Sequence, residues 1–122
     1  MSKRILDVGQ CGPDHAAIRQ LVGNFGAEVV QAHSARDTLA KLRAGKFDLV
    51  LINRKLDADY SDGVEIIKAI KADPAIADTP VMLVTNYAEH QKIAQEAGAV
   101  LGFGKLEYQQ PATREKLARF LA

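Results

Sequence analysis

The sequence predicts an α/β fold, a five-stranded parallel sheet with helices on both faces. Three observations carry that reading. Short apolar runs alternate with stretches whose apolar residues recur at helical spacing, five of each, as βα units feeding one sheet do. The connections are short and marked by Gly, Pro and Asp, with no repeat, low-complexity segment or linker. The run Phe47-Asp48-Leu49-Val50-Leu51-Ile52-Asn53 is nearly continuous in apolar residues, as a strand covered on both faces must be.

Each element has its own signal. Arg4-Ile5-Leu6-Asp7-Val8 is a short strand closed by the loop Gly9-Gln10-Cys11-Gly12-Pro13, and Pro13 suits a helix's first turn because its missing N–H goes unused there. Ala16, Ala17, Leu21, Val22 and Phe25 form the helix stripe, and Gly26 stops it. The second strand is Ala27 to Ala32. Ser34 with Asp37 resembles a capping box ahead of a helix carrying Leu39, Ala40 and Leu42 that ends at Gly45. After the third strand, Asp62 with Glu65 gives a second cap, and Val64, Ile67 and Ile70 continue a helix to Asp73-Pro74. Val81 to Val84 is strand four. A helix runs from about Tyr87 to Ala97 and stops at Gly98, and strand five lies near Ala99 to Phe103. Pro111 opens the last helix, striped by Leu117, Phe120 and Leu121. Right-handed crossovers leave few topologies, and a flavodoxin-like doubly wound order of 2-1-3-4-5 is the expected one.

At 122 residues the chain is expected to be a single domain, 1–122. Sixteen basic and 15 acidic residues give a formal net charge of +1, which argues against a nucleic-acid partner. No apolar run approaches a spanning helix and the N-terminus lacks a signal-peptide core, so neither membrane nor export is expected. The one cysteine, Cys11, cannot form an internal disulfide, and a cytoplasmic location is the default expectation. His15, His33 and His90 share no metal-ligand spacing and are expected at the surface.

In an open α/β sheet the chemistry sits at the C-terminal ends of the strands. Those ends supply Gly9 and Gln10, Asn53, Thr85, and Lys105. With the strand that ends at Asn53, Asp62-Gly63 before the next helix, Thr85 after strand four and Lys105 after strand five, the whole chain resembles the response-regulator receiver domain. The resemblance implies a phosphoacceptor aspartate at position 53, an acidic pair at positions 9 and 10 that helps hold Mg²⁺, and a lysine at 105 that pairs with the phosphorylated aspartate. Here those positions are Asn53, Gly9, Gln10 and Lys105, so all three carboxylates are absent. An amide is no competent nucleophile, and Mg²⁺ favours sites that include carboxylates. Two further departures stand beside the lysine. Leu106 replaces the proline that usually follows it, and Gly102 replaces the aromatic usually three residues before it, with Phe103 adjacent. The loop Arg54 to Asp62 is longer than the family usually has.

Asp7 interrupts an apolar strand, and a buried carboxylate needs a partner or a proton. Two readings stand open: Asp7 reaches Lys105 or Arg54 and replaces part of the lost negative site, or it pairs near the strand start with Lys3 or Arg4. Thr85 is expected to satisfy a loop backbone, and Lys105 either to bind an anion or to bond to Asn53 or a loop carbonyl.

The function expected is that of a stand-alone pseudo-receiver, a phosphorylation-independent signalling or adaptor domain, not an enzyme, with no cofactor and no metal. It would act on an unidentified protein partner, with a homodimer through helix four, strand five and helix five as one form of that contact. The resemblance assigns Tyr87, His90, Phe103 and Tyr108 to this face, and the charged loop offers Asp57, Asp59 and Tyr60 as a second surface. The alternatives are a sensor of a small anionic ligand in the remnant pocket, or a phospho-receiver that uses a displaced aspartate.

Overall fold

In the computed structural model, which describes residues 2–122, strand and helix alternate from end to end. They are β1 (Arg4–Val8), α1 (Gly12–Gly23), β2 (Glu28–Ala32), α2 (Ala35–Ala44), β3 (Leu49–Asn53), α3 (Gly63–Ala72), β4 (Val81–Val84), α4 (Ala88–Glu96), β5 (Val100–Phe103) and α5 (Pro111–Leu121). All strand pairs are parallel and the order is β2-β1-β3-β4-β5, as the sequence predicts. The chain turns back across the sheet between β1 and β3, the place where an open α/β sheet usually carries its site.

The strand pleat divides the core into two layers. Leu6, Val8, Val50, Ile52 and Leu83 pack with Leu42, Ile67 and Ala94, on the side of α2, α3 and α4. Ile5, Leu49, Leu51, Met82 and Val84 pack with Ile18, Leu21, Leu117 and Leu121, on the side of α1 and α5. Successive side chains of a strand point to opposite faces, so a strand buried twice over is apolar at nearly every position, with Asp7 the exception in β1.

Both expected caps form, each by half. Ser34 Oγ accepts the Asp37 N–H at 3.1 Å and Asp62 Oδ1 accepts the Val64 N–H at 2.9 Å. The return bonds are missing: Asp37 accepts the His33 N–H at 3.0 Å, and Glu65 pairs with Lys68 at 3.0 Å. Phe47 lies just ahead of β3, with the Arg4 guanidinium 4.4 Å from its ring centre. A 3₁₀ turn over Lys105–Glu107, absent from the sequence reading, follows β5 and is closed by the Gly104 N–H donating to Glu107 Oε1 at 2.7 Å.

The β4–β5 pairing is irregular, with a register shift between Met82 and Val84. The buried Gln91 side chain of α4 satisfies the groups that the irregularity leaves. Its Nε2 donates to the carbonyls of Leu83 (2.9 Å) and Thr85 (3.3 Å), and its Oε1 accepts the Gly102 N–H at 2.9 Å. Gly102 lies so close to the Leu83 carbonyl that an added Cβ would overlap it. An aromatic side chain has no room at this position.

Candidate functional site

The parallel sheet brings the expected strand ends together. Asn53, Arg54, Thr85 and Lys105 line one surface depression of about 280 Å³, with Lys55 and Tyr87 at its edge. Asn53, Thr85 and Lys105 each have their own partner.

Asn53 is half-buried and its Nδ2 donates to the Gly9 carbonyl at 3.1 Å. The same carbonyl accepts the Asp57 N–H at 2.9 Å. An ionised aspartate at position 53 could supply neither that donor nor relief for the carbonyl it would face. Gly9 has φ +75, the left-handed region that side chains other than glycine's rarely adopt. A Cβ there would overlap Leu56 Cγ and stand 3.0 Å from Leu56 Cα. Leu56 is fully buried, so the loop after β3 has filled the space in which an acidic side chain at position 9 would begin. Gln10 is buried too, and among the described residues neither of its amide atoms has a hydrogen-bond partner.

Lys105 bonds neither to Asn53 nor to a loop carbonyl, the two structural partners the sequence suggested. Its Nζ pairs with Asp14 Oδ2 at 2.7 Å. Cys11 Sγ donates to the same oxygen at 3.1 Å, and the Tyr108 hydroxyl donates to Oδ1 at 3.3 Å. Burial alone would raise the Asp14 carboxyl, but the bonds from Lys105, Cys11 and Tyr108 outweigh it and hold it below the ordinary carboxylate range. Burial and the Asp14 carboxylate push the Tyr108 hydroxyl up. Sequence reading missed Asp14. The available signal was its place in the first turn of a helix that starts at the same sheet end as Lys105.

Asp7 reaches neither Lys105 nor Arg54, and it does not pair with Lys3 or Arg4. It is fully buried, and the Nδ1 of His15 lies 2.6 Å from its Oδ2. His15 is therefore no free surface histidine; its side chain is 17% exposed. Burial pushes the Asp7 carboxyl up from 3.8 to about 6, against the hydrogen bond and charge of His15. Position explains the pair: Asp7 faces the α1 layer, and His15 lies in that helix's first turns.

Thr85 satisfies the loop, as expected. Its Oγ1 accepts the Tyr87 N–H at 3.4 Å and lies 3.5 Å from His90 Nδ1. Leu106 supplies what a proline there could not, an N–H that donates to Asn86 Oδ1 at 3.0 Å. Asp57, Asp59 and Tyr60 are exposed, but the loop is built rather than loose. Lys55 and Asp62 bridge in antiparallel fashion, Leu56 N–H donates to the Ser61 carbonyl at 3.0 Å, and Asp59 accepts from the Ser61 N–H and hydroxyl. Of the face assigned to helix four, strand five and helix five, Tyr87 is 61% exposed, and His90 and Tyr108 are half-buried. Phe103 is no part of it. It is 1% exposed, in the core against Tyr108.

The Mg²⁺ that the resemblance implies does not fit these residues. Positions 9, 10 and 53 offer no carboxylate, and Leu56 fills the space beside Gly9. Among the described residues no three His, Cys, Asp or Glu side chains are grouped to hold a metal ion.

Comparison with known proteins covers most of the chain. The response regulator receiver domain family matches residues 14–105. The transcriptional regulatory protein ZraR of Salmonella typhimurium is 32% identical over 103 residues, which is 84% of this chain and 20% of that protein. This chain thus spans about a fifth of the length of that relative. The chemotaxis protein CheY4 of Vibrio cholerae superposes with a TM-score of 0.77 at 20% identity, over 100% of both chains. A CheY-like receiver domain protein of Methanospirillum hungatei gives a TM-score of 0.71 at 29% identity, over 98% of this chain and 90% of that one.

Proposed function

We propose that this chain, which belongs to the response regulator receiver domain family, is a pseudo-receiver: a signalling or adaptor domain that works without phosphorylation, by binding another protein. One observation carries the reading. The side chain at the acceptor position is an amide, and it is committed to the Gly9 carbonyl. Phosphoryl transfer to protein needs a nucleophilic oxygen and positive charge to meet the incoming phosphate. Here the nucleophile is absent and the lysine is held by Asp14.

Contacts with protein are the remaining route for a signal. The exposed ring of Tyr87 and the neighbouring His90 and Tyr108 belong to one candidate face, which would serve a protein partner or a second copy of the chain. The loop with Asp57, Asp59 and Tyr60 is the other. A cytoplasmic setting accords with this reading, and no helix among the described residues is long and apolar enough to cross a membrane.

The alternatives find less support. An anion sensor would need Lys105, which is paired. A displaced acceptor would need a free aspartate near a metal cage, whereas Asp59 is bonded to Ser61 and no carboxylate stands at positions 9, 10 or 53 to hold a metal beside the exposed Asp57. The test is incubation with Mg²⁺ and a small acyl phosphate, read by intact mass. The mass is expected to stay unchanged. A stable adduct of about 80 Da, the size of one phosphoryl group, overturns the proposal.

A further inference from the structure

We infer that two side chains of this domain, Leu56 and Asp14, are built-in occupants of the two halves of the receiver phosphorylation site. Leu56 takes the space of the first acidic side chain. Asp14 takes the lysine that would otherwise face a phosphorylated acceptor. The inference rests on the pseudo-receiver reading and says what stands in place of the lost chemistry.

Loss of the acids alone would leave open space beside Gly9 and an unpaired lysine. The molecule shows neither. Leu56 is fully buried, and its backbone is fixed on both sides: its N–H donates to the Ser61 carbonyl at 3.0 Å, and its own carbonyl accepts the Tyr60 N–H at 2.8 Å. The next residue, Asp57, donates its N–H to Gly9, where Asn53 donates as well. Leucine, loop and amide therefore form one unit closed over Gly9. On the other side Asp14 sits on α1, not at a strand end, and draws Lys105 away from Asn53. Cys11 and Tyr108 hydrogen bonds hold the Asp14 carboxylate in place. Restoring carboxylates without removing these occupants would not rebuild a cation site. An aspartate at position 9 is excluded twice, by the left-handed backbone and by Leu56.

The experiment uses the full chain and Mn²⁺ as the probe, with bound and free metal separated by electron paramagnetic resonance. Three proteins are compared: the native chain, Gln10→Asp with Asn53→Asp, and that pair with Leu56→Ala. The native chain and the double variant are expected to bind weakly. The triple variant is expected to bind at least about tenfold more tightly, since removing the leucine lets two added oxygen donors share the ion. Equal affinity of double and triple variants overturns the role of Leu56 and leaves the pseudo-receiver reading standing. Binding by the native chain as tight as by the triple variant overturns that reading itself, and this inference with it. Circular dichroism checks folding; if the alanine variant is unfolded, Leu56→Val replaces it with the same criteria. The Asp14 half has its own readout in the native background. Asp14→Asn is expected to speed acetylation of Lys105 by acetic anhydride about tenfold relative to the exposed Lys92, because an amine released from a charge-assisted hydrogen bond is freer to react. An unchanged ratio overturns it.

Discussion

A carboxylate in the middle of a parallel sheet must be paired, protonated or held at some cost, and Asp7 shows what that does to one residue. Its carboxyl rises from 3.8 to about 6 because burial opposes the charge more than His15 favours it. Between those values the folded chain holds a proton that the unfolded chain has released. The stability penalty is therefore fully present above the folded value. It fades as pH falls through about 6 and is gone below about 3.8, a span equivalent to about 3 kcal/mol. The carboxyls of Asp14, Asp37, Asp59 and Asp73 are lowered instead, so their contributions are lost only further down, as pH falls below the ordinary carboxylate value. The two effects have opposite signs and occupy different ranges. Urea unfolding of the native chain and of Asp7→Asn, repeated from about pH 4 to about pH 7, should show the native chain losing up to about 3 kcal/mol relative to the variant as pH rises. The comparison reads Asp7 together with its contact to His15. A pH-independent difference would contradict the account. The carboxylate's need for a partner was legible in the sequence. Its identity was not, because nothing local tells which first-turn residue of the next helix turns back over the strand.

At the scale of elements, the strands, helices and their order were readable because their causes are local. Apolar spacing, Pro13 and Pro111 at helix starts, and Gly26, Gly45 and Gly98 near helix ends all act within a few residues. The β4–β5 irregularity was not readable, since it depends on Gln91 reaching across two strands from a helix. That glutamine is the joint between α4 and the sheet edge, and its removal tests the joint. Gln91→Leu keeps similar bulk but leaves the buried Gly102 N–H without its acceptor and the Leu83 carbonyl without a donor. The expected loss is about 2–4 kcal/mol, measured by thermal or urea unfolding. Hydrogen exchange at the Gly102 amide should accelerate more than at amides in the β1–β3 pair. Uniform acceleration across the sheet would mean that Gln91 contributes to general packing and does not pin β5. The same joint explains Phe103. With β5 drawn close at Gly102, the neighbouring residue turns inward, and the ring expected on a surface lies in the core.

For the whole molecule, topology alone gathers Gly9, Asn53, Thr85 and Lys105 at one end, and so the location of the site was legible. The side chains that occupy it, Leu56 and Asp14, come from a loop and a helix whose meeting is a tertiary fact. What then remains open to partners is surface. Tyr60, Tyr87, Ile93, Leu101 and Leu106 are the large apolar side chains exposed among the described residues. Four of these five fall between Tyr87, the residue that precedes α4, and the turn after β5, and Tyr60 stands apart on its loop. Burying such a side chain fully contributes about 1.5–3 kcal/mol, so several of these four together could supply an interface's apolar centre while the lone Tyr60 cannot. If the occupant is a second copy, sedimentation should show a reversible dimer whose dissociation constant rises at least about tenfold when Ile93→Lys and Leu101→Lys are introduced together, a change of about 1.4 kcal/mol or more. Tyr60→Ser should leave it unchanged. Because Ile93 and Leu101 are already exposed, the paired variant should melt within a few degrees of the native chain, which separates a lost interface from a lost fold. A native chain that sediments as a monomer up to about millimolar concentration removes the homodimer. The same paired variant then becomes the probe for a different protein on this face, since only a partner that buries these two side chains would be lost with them.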